Sequence, residues 1–277
     1  MLPNVARALD CIRVTATDVL STYRGTSPRL DENSQYDLYL SPHFDDICFS
    51  LGAYVSRKQR GIVLTIFSNS QHVANPVYKR VAVGDCKTAI SDLRRAEDLT
   101  FVQEVGMRQL VAGLDEAPIR GRDPFDLDRS AEDAVLLDQK VMNAIAAAGR
   151  ERPTGIRPRL YCPMGIGTHI DHLTILRIVK RNVEVLLAAY RIAYYEDLHY
   201  ASDWQRRVAG LARFRSIITP FRPQRSVHPI SDTRRKLKLV GLYESQFAKP
   251  PTSIGPFTPA QYFPSLPHEA IWTCKRP

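Results

Sequence analysis

Two short segments hold most of the residues able to do hydrolytic chemistry. Ser41-Pro42-His43-Phe44-Asp45-Asp46 places one histidine and two carboxylates just beyond a strand-like run. Gly167-Thr168-His169-Ile170-Asp171-His172 places two histidines and a carboxylate where a helix begins. The segments are far apart in the chain, so only tertiary folding joins them. A catalytic zinc typically takes three protein ligands from imidazole and carboxylate and keeps a further position for water. His43, Asp46 and His172 can supply such a set, which leaves Asp45, His169 and Asp171 for acid/base work. Taken singly, the first motif is also compatible with a polar loop and the second with a helix cap. Their joint placement at strand ends in one chain favours a site.

The elements that must position them follow from periodicity. Short β-rich runs at 36–40, 62–67, 160–162 and 192–195 alternate with helical patterns at 49–59, 92–106 and 137–148. From His172 the apolar positions Leu176, Val179, Val183 and Leu186 continue one helical face, with His172 on the buried side. Further helices are expected at 203–217 and 233–247, the latter capped by Asp232 or Ser231. This is the pattern of an α/β fold: a single Rossmann-like domain with a mostly parallel central sheet flanked by helices. Ligands in such sheets bind outside the carboxyl ends of the strands, where both motifs fall. The expected organisation is one domain over 1–277, with a helical N-terminal extension at 1–33 and a proline-rich C-terminal wrap at 250–277.

Composition narrows the function classes. The 277 residues are 44% hydrophobic and 24% charged, which is ordinary for a globular chain and unlike a disordered one. No apolar run approaches the roughly 18 residues of a membrane helix. Charged residues interrupt the first 25 positions, so no secretory h-region is present there. The five cysteines form no C-x-x-C pair, which argues against a disulfide framework or a thiolate zinc site and for a cytoplasmic setting. Cys48 and Cys162 are expected to be small buried fillers. The net charge of +9 is dispersed, so nucleic-acid binding is not expected, and a small-molecule or glycoconjugate substrate is.

With these residues in view, the chain resembles the PIG-L/LmbE-like zinc N-deacetylases. The resemblance rests on Pro42-His43-x-Asp45-Asp46 and His169-x-Asp171-His172. It extends to Arg94-Arg95-Ala96-Glu97, Leu114-Asp115, Tyr194-Tyr195-Glu196-Asp197-Leu198, Tyr243-Glu244-Ser245-Gln246 and Glu269-Ala270-Ile271-Trp272, and so covers about 36–273. It implies Zn2+ held by His43, Asp46 and His172, with Asp45 as the general base for attack by metal hydroxide. His169 would stabilise the oxyanion and help protonate the leaving amine, with Asp171 orienting it, and Arg94 and Asp115 would hold a sugar. Tyr195 is a candidate pocket residue at its strand end. The implied reaction is deacetylation of an N-acetylated amino sugar, an N-acetylglucosamine-type moiety, releasing acetate and a free amine.

The chain departs from the family pattern at Phe44, Ile47, Ile170 and His199. All lie beside the expected site and none is a presumed ligand, so they bear on substrate more than on chemistry. Two alternatives remain: an amidase acting on a thiol-sugar conjugate or another N-acyl group, and a non-catalytic sugar-binding module of the same fold. A nucleotide-cofactor enzyme lacks support, since no G-x-G-x-x-G follows the first strand. Two long connections, 71–88 and 118–132, can border the substrate, and Arg120, Arg122 and Arg129 in the second would favour an anionic group. Glu269 and Trp272 read as a late packing anchor.

Overall fold

A computed structural model describes residues 35–81, 86–150, 152–261 and 266–275. The expected helical extension at 1–33 lies outside the described residues. A seven-stranded sheet runs in the order β3-β2-β1-β4-β5-β7-β6. Its strands are β1 (Leu38–Ser41), β2 (Ile62–Thr65), β3 (Arg108–Val111), β4 (Arg159–Pro163), β5 (Arg191–Tyr195), β6 (Arg222–Pro229) and β7 (His268–Lys275). β1 to β5 are mutually parallel, whereas β7 pairs antiparallel with both β5 and β6. Every residue of β1 and β2 is buried, as expected for short apolar strands covered on both faces.

Alternation along these strands divides the core in two. Leu38, Leu40, Ile62 and Leu64 face α4 (Ser130–Gly149), α5 (Ile170–Arg181) and α8 (Trp204–Ile218), whose Leu137, Val141, Ile175 and Phe214 fill that side. Tyr39, Val63, Tyr161 and Tyr195 face the other way, toward α1 (Asp46–Lys58), α3 (Cys86–Glu104) and α9 (Thr233–Val240). The remaining helices are short: α2 (Pro76–Val81), α6 (Val183–Ala189) and α7 (Leu198–Ala201).

The chain winds outward from β1 through β2 to β3, then returns to the opposite side of β1 with β4. The strand order therefore reverses between β1 and β4. The loop after β1 carries His43 to Asp46, and the loop after β4 leads to His169 at the start of α5, so both motifs open onto this reversal.

Three strands escape the sequence periodicity. β3 is a half-exposed edge strand that starts Arg-Gln. β6 is the opposite edge, mostly polar and containing Pro223 and Pro229, which an edge strand tolerates. β7 corrects the expected wrap: the described part of the proline-rich segment carries one short 3-10 turn, Gly255–Phe257, and the chain then forms a strand whose Ala270 and Trp272 are buried. The single stripe read from His172 to Leu186 is two helices, broken at Asn182, whose side-chain amide donates to Ile178 O and Asp138 Oδ1. The helix expected at 233–247 ends at Val240, before a 3-10 turn at Glu244–Gln246. Asp232 is its cap, accepting from the Arg235 amide.

Candidate active site

Asp46 is the first residue of α1, and its Oδ2 accepts from the His43 backbone N–H at 2.7 Å, closing the turn after β1. The same oxygen lies 3.3 Å from His43 Nδ1 and 3.4 Å from His172 Nε2. Each of these histidines is held from behind by a second carboxylate. His43 Nε2 is 3.1 Å from Asp171 Oδ2, and His172 Nδ1 is 2.8 Å from Asp197 Oδ1. Asp197 is fixed in turn by the Ile166 amide, and Asp171 by the Ala117 amide and by Arg120 at 2.7 Å. Two imidazoles thus turn one nitrogen inward and commit the other to a buried carboxylate, the arrangement that fixes tautomer and raises ligand basicity at metal sites.

The expected metal set fits these positions. Among the described residues His172 Nε2 is buried without a hydrogen-bond partner, an unfavourable state for an imidazole nitrogen that a metal bond would relieve. His43, His169 and His172 also bring a ligand nitrogen each within 4.8 Å of one another. The two possible sets share His43 and His172 and differ in whether Asp46 or His169 completes them. Asp46 is favoured, because its oxygen already sits between the two inward nitrogens and its charge would offset that of a cation.

Burial disfavours the charged form of His43, but hydrogen bonds with Asp171 and Asp46 lift it to about 10. Burial also opposes ionisation of Asp171, yet its bond from His43 and the nearby Arg120 hold its carboxyl well below the usual range. At Asp197 burial prevails and the carboxyl is pushed up, despite the hydrogen bond to His172. Burial, reinforced by the neighbouring His43, drives His169 down to about 2, so it is neutral.

His169 is the N-cap of α5, and its Nδ1 accepts from the Asp171 amide at 3.3 Å. Nε2 therefore carries the proton and is available as a donor. Asp171 does not take the orienting role expected of it: its carboxylate is 3.9 Å from His169 Nδ1 but hydrogen-bonds His43, so it supports a candidate ligand. His169 is oriented by the Asp171 backbone.

Asp45 is the N-cap residue of α1, and its side chain makes no capping bond. Among the described residues its side chain has one ion-pair partner, Arg94, with Oδ1 at 3.4 Å. Arg94 is buried and donates to Ser70 Oγ and Glu116 Oε1, so it lies behind Asp45 as a brace and not in an open sugar pocket. Asp115, the other expected sugar contact, is half-exposed, with Lys87 at 2.7 Å and Asn69 at 2.8 Å. Tyr195 is a correction: fully buried, it donates its hydroxyl to Leu40 O and belongs to the core. The tyrosine beside the site is Tyr200, whose ring meets His172 edge-on at 5.6 Å and packs where a side chain at Gly167 (φ +107°) would collide.

The two weaker sequence motifs meet each other beside the site. Glu97 accepts from the Ser245 amide and hydroxyl, and Asp98 accepts from the Tyr243 hydroxyl, which ties α3 to the turn after α9. Asp197, Glu116 and Tyr200 received no role from the sequence, and Arg120, expected to face an anionic substrate, instead holds Asp171. A carboxylate two residues past the end of β5, at the same sheet edge as both histidine motifs, was the signal available for Asp197.

Comparison with family profiles and with curated proteins gives no match. Solved structures do match. The A40926 pseudoaglycone deacetylase superposes with a TM-score of 0.60 at 17% identity, covering 88% of this chain and 98% of that one. A deacetylase in complex with teicoplanin gives 0.61 at 16% identity, covering 86% and 97%. A zinc-inhibited form of teicoplanin deacetylase gives 0.57 at 17%, covering 87% and 98%. The chain has the fold of the PIG-L/LmbE-like deacetylases, the family its histidine motifs resemble.

Proposed function

We propose that this protein is a metal-dependent N-deacetylase acting on an acylated amino sugar, and that its resident ion is zinc. The observation that carries the reading is the pair of carboxylate-backed histidines converging on Asp46, with Asp45 beside them and free of a capping bond. The deacetylase structures sharing the fold support it, since one is a complex with the glycosylated compound teicoplanin.

A divalent ion held by His43, Asp46 and His172 would supply a water of lowered pKa and polarise the amide carbonyl. Asp45, braced by Arg94, accepts a proton from the attacking water. His169 donates from Nε2 to the oxygen that becomes negative as the carbonyl carbon turns tetrahedral. The departing nitrogen needs a proton, and the acid formed at Asp45 is positioned to return it. In this reading His169 stabilises charge by hydrogen bonding, and Asp45 carries the proton between water and amine. Asp115 at the rim is the group on which sugar hydroxyls would be recognised. We place this activity in one α/β domain in a reducing, cytoplasmic compartment, in keeping with the buried free thiols of Cys48 and Cys162.

The test is metal content together with acetate release from a panel of N-acetylamino sugars, wild type against Asp45→Asn. One zinc per chain and loss of acetate release in the variant are expected. A protein that binds no divalent ion after reconstitution would overturn the reading, and so would acetate release unaffected by the substitution.

A further inference from the structure

We infer that Phe125 is a specificity-determining contact for an apolar part of the substrate next to the scissile amide. This rests on the deacetylase reading above and deepens it. The sequence suggests that segment 118–132 offers arginines to an anionic substrate, but its charges are committed elsewhere. Arg120 pairs with Asp171 and Asp133, Arg122 with Asp133 and Glu132, and Arg129 with Glu132. What the segment presents outward is the ring of Phe125, 64% exposed, with its centre 6.5 Å from that of His169 and the two planes at 75°.

This exposure is built into the backbone. The carbonyl of Pro124 accepts from the Ile170 amide at 2.8 Å, the Phe125 amide donates to Asp123 Oδ1 at 2.9 Å, and its carbonyl accepts from Leu127. The segment is thereby fastened to the first turn of α5, the turn that also carries His169 and His172. An aromatic ring held in water beside a catalytic imidazole gains by covering an apolar group.

The two flanks of the site therefore differ in chemistry. Asp45, Asp115, Asn69 and Lys87 make one flank polar and suited to hydroxyls. Phe125 makes the other apolar, suited to a group that leaves the site past His169. That group is either an acyl chain longer than acetyl or an apolar aglycone, and in both cases the recognised chemistry is a hydrocarbon or aromatic surface.

The test compares N-octanoylglucosamine with N-acetylglucosamine, and the 4-nitrophenyl with the methyl glycoside of N-acetylglucosamine, in wild type, Phe125→Ala and Phe125→Leu. In Phe125→Ala, kcat/KM for the apolar member of one pair should fall about tenfold relative to its plain partner, the scale of about two methylene groups returned to water. The pair that responds identifies the source, and leucine should retain most of the preference if the group is an acyl chain. An unchanged ratio in both pairs overturns the proposal while leaving the deacetylase reading intact. Calorimetric binding of the same compounds in an Asp45→Asn background separates the two claims. If no compound is hydrolysed by wild type, tenfold weaker binding of an apolar member on Phe125→Ala still supports the contact. Unaltered binding, or no binding of either apolar compound, overturns it.

Discussion

Asp171 and His43, from opposite ends of the chain's two histidine motifs, meet with Oδ2 3.1 Å from Nε2, and Arg120 secures the other oxygen of the same carboxylate. The motifs are thus joined through a carboxylate–imidazole bond as well as through Asp46. Asp197 does the same for His172. Both carboxylates lie outside the expected donor set, and each sets the direction of one histidine's inward nitrogen. Substituting either by asparagine should weaken zinc binding about 10–100-fold while the fold persists. Competition with a chromophoric chelator measures this directly. Wild-type affinity in both variants would mean that His43 and His172 are not the ligands.

Asp45 and His169 should separate by function. Neither is needed to complete the favoured donor set, so Asp45→Asn and His169→Ala should keep their metal. Loss of the base should lower kcat by about 100–10,000-fold. Loss of one oxyanion donor should lower it by about 100–1,000-fold. Retained metal with wild-type turnover in His169→Ala would remove it from the mechanism.

The buried pair Lys236 and Glu269 holds the helix on which Asp46 sits. Lys236 Nζ donates to Glu269 Oε1 at 2.6 Å and to the carbonyls of Cys48 and Phe49, while Glu269 accepts from the Ala53 and Tyr54 amides. Both side chains have no exposure, and Gly52 leaves the space that Lys236 occupies. The pair therefore grips α1, the helix that starts at Asp46. Glu269→Ala leaves a buried ammonium unpaired and should cost about 3–5 kcal/mol of unfolding free energy by urea titration. Adding Lys236→Met should recover only part of it, because the two amides stay without an acceptor. A cost under about 1 kcal/mol would show that the pair does not stabilise α1.

How legible this was in the sequence differs by element. β1, β2, β4 and β5 are short, apolar and β-branched or aromatic, so local composition reveals them. β3, β6 and β7 do not stand out, because edge strands are polar and β7 follows a proline-rich tract; their status comes from the neighbours they pair with. The site histidines and Asp45 to Asp46 were visible because they cluster in sequence. Asp197, Arg120 and Tyr200 act through contacts made only in three dimensions, and Tyr195 was misplaced because strand position alone does not give the direction of a side chain. Glu269 reads with Trp272 as a packing anchor, but its partner Lys236 stands in a basic run that reads as ordinary surface charge until the fold buries it.

Asp98 gives the pH dependence of this framework a defined sign. Burial pushes its carboxyl up to about 7, with the hydrogen bonds from Gln109 and Tyr243 opposing only in part. The folded state therefore holds this proton more tightly than the unfolded chain, whose aspartate titrates at about 3.9. The stabilisation is fully present below that value and is lost as pH rises through about 7. Asp98→Asn cannot ionise, and Gln109 can reverse its amide to meet the new donor. Between pH 4 and pH 8 the variant should gain a few kcal/mol relative to wild type, read as the difference between urea unfolding curves at each pH. Subtracting the two removes the titration of every other group, and a difference that stays flat across this range would mean that Asp98 is ionised in the folded protein.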